Sequence, residues 1–339
     1  MAHRVVIVGG GAAGIQTALE LKSRGIEPII VERDIELGGK ARGWHKLFPL
    51  FTPAKDIIDP LIARLREERI RCFYGQEVTE IASDGVVLRS GERIPGDAVV
   101  VATGFTLFDA HRKQEYGYGL YDNVITSVDL ERMMNSGHVV LTDGSEPRRI
   151  AFLHCVGSRD EKVDQKHCSK VCCITGVKQA IEIKQMFPDA DVFNFYMDIR
   201  MYGPGYEELY RSAQQDYNIH FIRGRISEAA ETINKRIQIK AEDTLTGRPL
   251  RMTVDMLVLL VGMSANYENK NLAQSAGIPL APNGYFRTQD SFLGSVTCER
   301  EGIFFAGAAT APKSLADTLA EASLTASAVC NYIKVKYTK

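Results

Sequence analysis

The sequence lacks a surplus of charge of either sign: 41 Lys and Arg against 42 Asp and Glu leave a net charge of −1 over 339 residues. That balance gives no electrostatic basis for binding nucleic acid or an anionic membrane surface. No apolar run approaches the ~20 residues that span a bilayer, which predicts no transmembrane segment. Met1-Ala2-His3-Arg4 leads straight into an apolar strand pattern without the apolar region and cleavage site of a secretory signal. Low-complexity tracts and short tandem repeats are also missing. The seven cysteines are not spread as staples, and the expected compartment is therefore a reducing cytoplasm. A hydrophobic content of 45% at this length predicts two domains with sizeable cores.

Four cysteines gather within nineteen positions: Cys155, Cys168, Cys172 and Cys173. Ile150 to Leu153 reads as a buried strand running into Cys155, and Ile174 to Phe187 as a helix with one apolar face. Three thiols are thus expected at a helix start and one at the end of the preceding strand. The partial positive charge of a helix N-terminus favours thiolates there. This pattern points to a soft metal centre. A directly adjacent pair such as Cys172-Cys173 suits one tetrahedral zinc poorly, whereas an iron-sulfur cubane offers four separate iron corners. A redox dithiol and buried unligated thiols are the other readings. Cys72, Cys298 and Cys330 sit in separate apolar contexts and read as core filling.

The N-terminal stretch carries a different signal. Val5 to Val8 is a strand pattern, Gly9-Gly10-Gly11-Ala12-Ala13-Gly14 follows at once, and Ile15 to Arg24 is helical. This G-x-G-x-x-G stands in its strand-turn-helix setting, with Gly9 for the tight turn, Gly11 for approach of a pyrophosphate and Gly14 for close helix-strand packing. A second strand, Pro28 to Val31, ends at Glu32, placed to accept ribose hydroxyls. Dinucleotide binding follows.

What the second half lacks is equally informative. Arg148 to Cys155 begins a second strand-turn-helix unit, yet where a nicotinamide-binding relative would carry another glycine fingerprint this chain has Cys155-Val156-Gly157-Ser158-Arg159-Asp160. The expected fold is α/β, with two Rossmann-like dinucleotide-binding domains.

Several short motifs resemble the flavoprotein superfamily of the thioredoxin-reductase-like type, which implies residues 1–110 and 264–339 as the FAD domain and residues 111–263 as a second module carrying the cluster. Leu37-Gly38-Gly39-Lys40-Ala41 is similar to its second glycine pair, Gly75-Gln76-Glu77-Val78-Thr79 to its adenine-contacting strand, and Ala102-Thr103-Gly104 to its A-T-G turn. Ile303 to Ala308 resembles its terminal flavin motif, with Ala308 where many members have an aspartate. FAD contacts are therefore expected at Gly9, Gly11, Ala13, Gly14, Glu32, Arg33, Gly39, Lys40, Val78, Ala102, Thr103, Gly104, Gly307, Ala308, Lys313 and Thr318.

The cysteine stretch, Val177-Lys178 and Asp198-Ile199-Arg200-Met201-Tyr202-Gly203-Pro204-Gly205-Tyr206-Glu207-Glu208 together resemble the A-type flavoprotein subunits of heterodisulfide reductases. That resemblance implies FAD, a [4Fe-4S] cluster on Cys155, Cys168, Cys172 and Cys173, and Lys178 beside the flavin ring, tuning the reduced flavin. It also implies heterodisulfide-reductase-like B and C subunits as partners, a homodimer and, in short forms, a lipoate-carrying protein. The chain departs from the larger members in having no further cysteine runs, and Lys40 to Pro49 lacks the redox cysteine pair of ordinary flavin disulfide reductases. It looks most similar to the short A-type form found in the heterodisulfide-reductase-like complexes of sulfur oxidisers. An NAD(P)H-dependent flavin oxidoreductase, a quinone-linked flavoprotein of sulfate reduction and a zinc-holding scaffold are the alternatives. Asn123 to Thr126 is expected to lead into a helix with Ser127 as its N-cap.

Overall fold

Val5, Val6 and Ile7 are wholly buried and Val8 nearly so, because the strand Arg4–Val8 is paired on both edges and covered on both faces. Parallel strands of this kind read as continuous apolar runs, and each such side chain contributes ~1.5–3 kcal/mol when buried. In the computed structural model, which describes residues 3–337, this strand is central to one of two units.

The first unit takes the chain up to Gly43, then Ala54–Thr106, and resumes at Ser264. Its parallel sheet runs in the order Ile303–Phe305, Ala98–Val101, Arg4–Val8, Glu27–Val31, Arg71–Phe73. The helix Ala12–Ser23 packs beside the 23-residue helix Leu315–Tyr337. A three-stranded antiparallel sheet, Val78–Ala82 with Gly85–Leu88 and Arg93–Pro95, packs against the helix Asn269–Ala276.

The second unit comprises Trp44–Pro53 and Leu107–Met263. Its parallel sheet has the order Val124–Thr126, Met256–Val261, Arg149–Val156, Asp191–Tyr196, His220–Arg223. An antiparallel meander, Ile226–Glu231, Ile237–Asp243 and Arg248–Val254, completes it. The segment Trp44–Pro53 gave no sign in the sequence of leaving the first unit. It packs here through Phe48, which meets Tyr206 edge-on at 5.7 Å.

Two local expectations are corrected. The helix Ser127–Ser136 is capped by Thr126, whose hydroxyl accepts from Asp129 N at 3.2 Å while the Asp129 carboxylate accepts from Thr126 N at 2.9 Å; Ser127 is its first helical residue. The second correction concerns the cysteine helix, Cys172–Met186. It brings two thiols, not three, into its first turn, and Cys168 lies four residues ahead in the loop.

Candidate functional site

In the first unit the glycine turn leaves its backbone bare. A Cβ on Gly14 would stand 1.9 Å from the Gly9 carbonyl oxygen, and one on Gly9, whose φ is +108°, 2.5 Å from that of Ala102. Gly11 faces only Gly39, whose Cα lies 4.0 Å from where a Cβ would be. The helix Ala12–Ser23 begins without a side-chain cap, so its first N–H groups are available to an anion. Glu32 is buried and accepts from Gly10 N at 2.5 Å and Asp34 N at 2.9 Å. An ionised carboxylate has about four lone-pair sites, so capacity remains for a hydroxyl.

The other expected contacts surround this turn. Gly307 allows close approach to Ala13, since a Cβ there would come within 2.7 Å of the Ala13 Cβ. Its N–H donates to Glu321 Oε2 at 2.7 Å and its carbonyl accepts from Lys313 Nζ at 2.9 Å, so both backbone groups are engaged. Ala308 is buried, and Thr318 lies in the first turn of Leu315–Tyr337. The Thr103 hydroxyl, between Ala102 and Gly104, is buried with no partner among the described residues, although its carbonyl accepts from Asn266 Nδ2 at 2.7 Å. Leaving such a group unpaired costs about 1–3 kcal/mol, so a ligand hydroxyl or carbonyl fits there.

A cavity of about 670 Å³ includes Arg33, Lys40, Gln76, Glu77, Thr106 and Glu268 in its lining, and Val78 opens the strand next to it. Burial lowers the Lys40 ammonium's pKa. Burial also opposes the Arg33 charge, but Glu268, 2.8 Å away, outweighs it and raises its pKa. Glu268, Asn266 and Glu321 were not singled out in the sequence, where nothing local marks them.

In the second unit the strand Arg149–Val156 shifts register between Leu153 and Val156, and Cys155 at this bulge has φ +61°. Left-handed backbone recurs at Gly157, Arg159, Asp164 and Lys170. Non-glycine residues rarely adopt it, and such strain collects at ligand-holding loops. The loop is pinned at both ends of its span. Ser158 Oγ donates to His167 O at 3.0 Å and accepts from Ser169 N at 3.0 Å, while Ser169 Oγ accepts from Met263 N at 2.8 Å. Asp160, buried, holds Lys113 Nζ at 2.8 Å and Arg225 at 3.2 Å, and caps the turn Glu161–Val163 through Lys162 N.

This loop and the following helix bring Cys155, Cys172 and Cys173 together. Cys172 donates between the other two sulfurs, which pushes the Cys155 thiol down to about 7 and Cys173 to about 4, while Cys172 keeps its own proton. His154 lies against Cys173 with its Nε2 2.8 Å from Asn194 Oδ1. Burial works against its charge, but the negative sulfur prevails and raises the imidazole's pKa. Cys168 is half-buried and its sulfur accepts from Lys170 N at 3.4 Å. Among the described residues no three His, Cys, Asp or Glu side chains are gathered so as to hold a metal ion. The donor set itself, four free soft thiols at a strand end, in a loop and at an uncapped helix start, fits an iron-sulfur centre in its chemistry.

Lys178, on the same helix, is buried. Its Nζ lies 2.5 Å from Glu131 Oε1, 2.9 Å from Glu182 Oε2 and 3.1 Å from the Lys46 carbonyl. Glu182 follows at helical spacing and was findable in the sequence, whereas Glu131 and Lys46 were not.

A family model for pyridine nucleotide-disulphide oxidoreductases matches residues 3–326. The chain belongs to this family. Within this oxidoreductase family it is similar to the iron-sulfur subunit, of the A type, of the CoB–CoM heterodisulfide reductase of Methanocaldococcus jannaschii, 34% identical over 96% of this chain and 63% of the relative. The A-type subunit of the H(2)/formate:CoB-CoM heterodisulfide,ferredoxin reductase of Methanococcus maripaludis is 39% identical over the same shares. The chain thus spans 63% of these relatives' length. Thioredoxin reductase of T. acidophilum superposes with a TM-score of 0.67 at 18% identity over 98% of each chain, and that of Lactococcus lactis with 0.69 at 16% over 98% and 99%. The fold is therefore of the thioredoxin-reductase type, with two Rossmann-like domains. No helix among the described residues is long and apolar enough to cross a membrane.

Proposed function

We propose that this chain is a FAD- and [4Fe-4S]-containing electron-transfer subunit of a heterodisulfide-reductase-like complex, serving oxidation of sulfur compounds in the cytoplasm. The observation that carries this reading is a substitution of chemistry at one topological place. In both sheets the third strand feeds a turn and a helix; in the first unit the turn is bare glycine backbone, in the second it is a strained loop with one thiol in it, one at the strand end before it and two in the helix turn after it. Flavin exchanges electrons singly or in pairs and a cluster one at a time, so the two together connect pair transfer to one-electron steps. The glycine turn, Glu32 and Thr103 bind and orient the dinucleotide, and Cys155, Cys168, Cys172 and Cys173 supply the cluster's ligands. Lys178 places a positive charge for the flavin ring. The proposed partners are subunits of the B and C type, a second copy of this chain and a lipoate-carrying protein.

Anaerobic purification followed by metal, sulfide and flavin analysis tests this. About four irons and four sulfides per chain together with one flavin supports it. One zinc per chain, or rapid bleaching of the flavin band by NADPH with no iron present, overturns it.

A further inference from the structure

The buried charges around Lys178 do not balance among themselves. The side chains of Lys178, Glu131 and Glu182 are between 2% and 5% exposed, and the set holds two carboxylates against one ammonium. Gln179, whose Nε2 donates to Glu131 Oε1 at 2.6 Å and to Ser127 O at 2.8 Å, adds hydrogen bonds but no charge. Two buried carboxylates thus share one ammonium. His45 is the member that reaches water. Its ring is 28% exposed, its Nδ1 lies 2.8 Å from Glu182 Oε1, and its backbone N–H donates to Glu131 Oε2 at 2.7 Å. One residue thus touches both carboxylates, which come from the helices Ser127–Ser136 and Cys172–Met186.

We infer that His45 is the proton port of this ionic set. A proton from water enters at the exposed side of the imidazole as the Nδ1 proton passes to Glu182 Oε1, so one proton moves inward, the ring returns to neutral and no electron moves. His45–Glu182–Lys178–Glu131 is then a site whose charge changes by one through a single solvent-facing residue. Its use, which rests on the proposed reading of Lys178, is to hold or supply the proton that accompanies flavin reduction. His45 is a positioning and proton-transfer residue, and its imidazole is needed for transfer as well as for the hydrogen bond.

Two measurements on the full chain decide this. In spectra of 15N-histidine-labelled protein at one fixed pH, assigned by the signal missing from His45→Gln, the cationic fraction of His45 rises in Lys178→Met, which deepens the charge deficit. It falls in Glu182→Gln, which removes it. An unchanged fraction in both variants overturns the charge count, whether or not flavin is bound. In flavin-loaded protein reduced by light in a weakly buffered indicator solution, His45→Gln slows proton uptake at least tenfold, and added imidazole restores the rate in His45→Gly. Unaltered uptake in His45→Gln overturns the port, as does a loss in His45→Gly that imidazole does not restore. Protein that binds no flavin fails the cofactor reading instead, while the first measurement still decides the inference.

Discussion

The turns Gly9–Gly14 and Cys155–Cys173 occupy the same place in two similar sheets yet solve opposite problems. The first is glycine at Gly9, Gly10, Gly11 and Gly14, which leaves its backbone N–H groups bare; the second keeps side chains and bends the backbone under them. Both helices that follow start without a side-chain cap, at Gly11 and at Val171, and both leave N-terminal N–H groups for a negatively charged group. What differs is how the turn is held. Gly14 and Gly9 fit because nothing is there, whereas the cysteine loop is held by a buried carboxylate, two hydroxyls and left-handed residues.

The steepest break of this contrast is Gly14→Val. Its Cβ would lie 1.9 Å from a backbone oxygen that cannot swing away. Flavin per chain, read from the visible absorbance after purification, is expected to fall to near zero while iron, which the proposed function assigns to the other unit, persists. Flavin retained at the parent level removes the dinucleotide assignment from this turn. Cys173→Ser is the mirror test and comes next. Iron per chain is expected to fall from about four to less than about one, with flavin kept, whereas Cys72→Ser changes neither because Cys72 lies in the first unit, where its thiol meets Ile70 O at 3.6 Å and the Tyr74 hydroxyl.

How much of this was legible follows from range. The glycine turn, Glu32 and the cysteine spacing are readable because each function is encoded within a few dozen residues of one strand-turn-helix. The strand Arg4–Val8 was readable because full burial writes an unbroken apolar run. The partners of the loop were not, since Lys113 and Arg225 reach Asp160 from positions 47 and 65 residues away. Nor were Glu131 and His45, which meet Lys178 and Glu182 only after three separate segments pack. The helix start at Thr126 was misjudged by one residue because Thr and Ser cap comparably, and only the position of Asp129 three residues on distinguishes them.

Asp160→Asn probes how the second turn is held. Removing one partner of a buried ion pair costs about 3–5 kcal/mol, seen as a lowered denaturation midpoint and faster loss of iron to a chelator. Burial raises the Asp160 carboxyl's pKa, but Lys113 and then Arg225 outweigh this and hold it below its usual range. A pKa depressed on folding adds stability that is present above the unfolded value of about 3.9 and lost as pH falls through the folded value. The parent therefore loses this contribution in acid below about pH 4, and Asp160→Asn has none to lose. Parallel acid profiles of the two proteins contradict the clamp.

The smallest effect separates helices opened for a ligand from one closed by a cap. Ser127–Ser136 has both of its first donors met by Thr126 and Asp129, and it carries Glu131 into the Lys178 set. Thr126→Ala is expected to cost about 1 kcal/mol, and the adjacent Ser127→Ala close to nothing, in denaturant midpoints measured side by side. Because Glu131 rides one turn further on, the same Thr126→Ala protein is expected to show a shifted His45 nitrogen signal that Ser127→Ala does not. A larger cost for Ser127→Ala would return the cap to Ser127, and no cost for either would leave the helix start as bare as those at the glycine and cysteine turns.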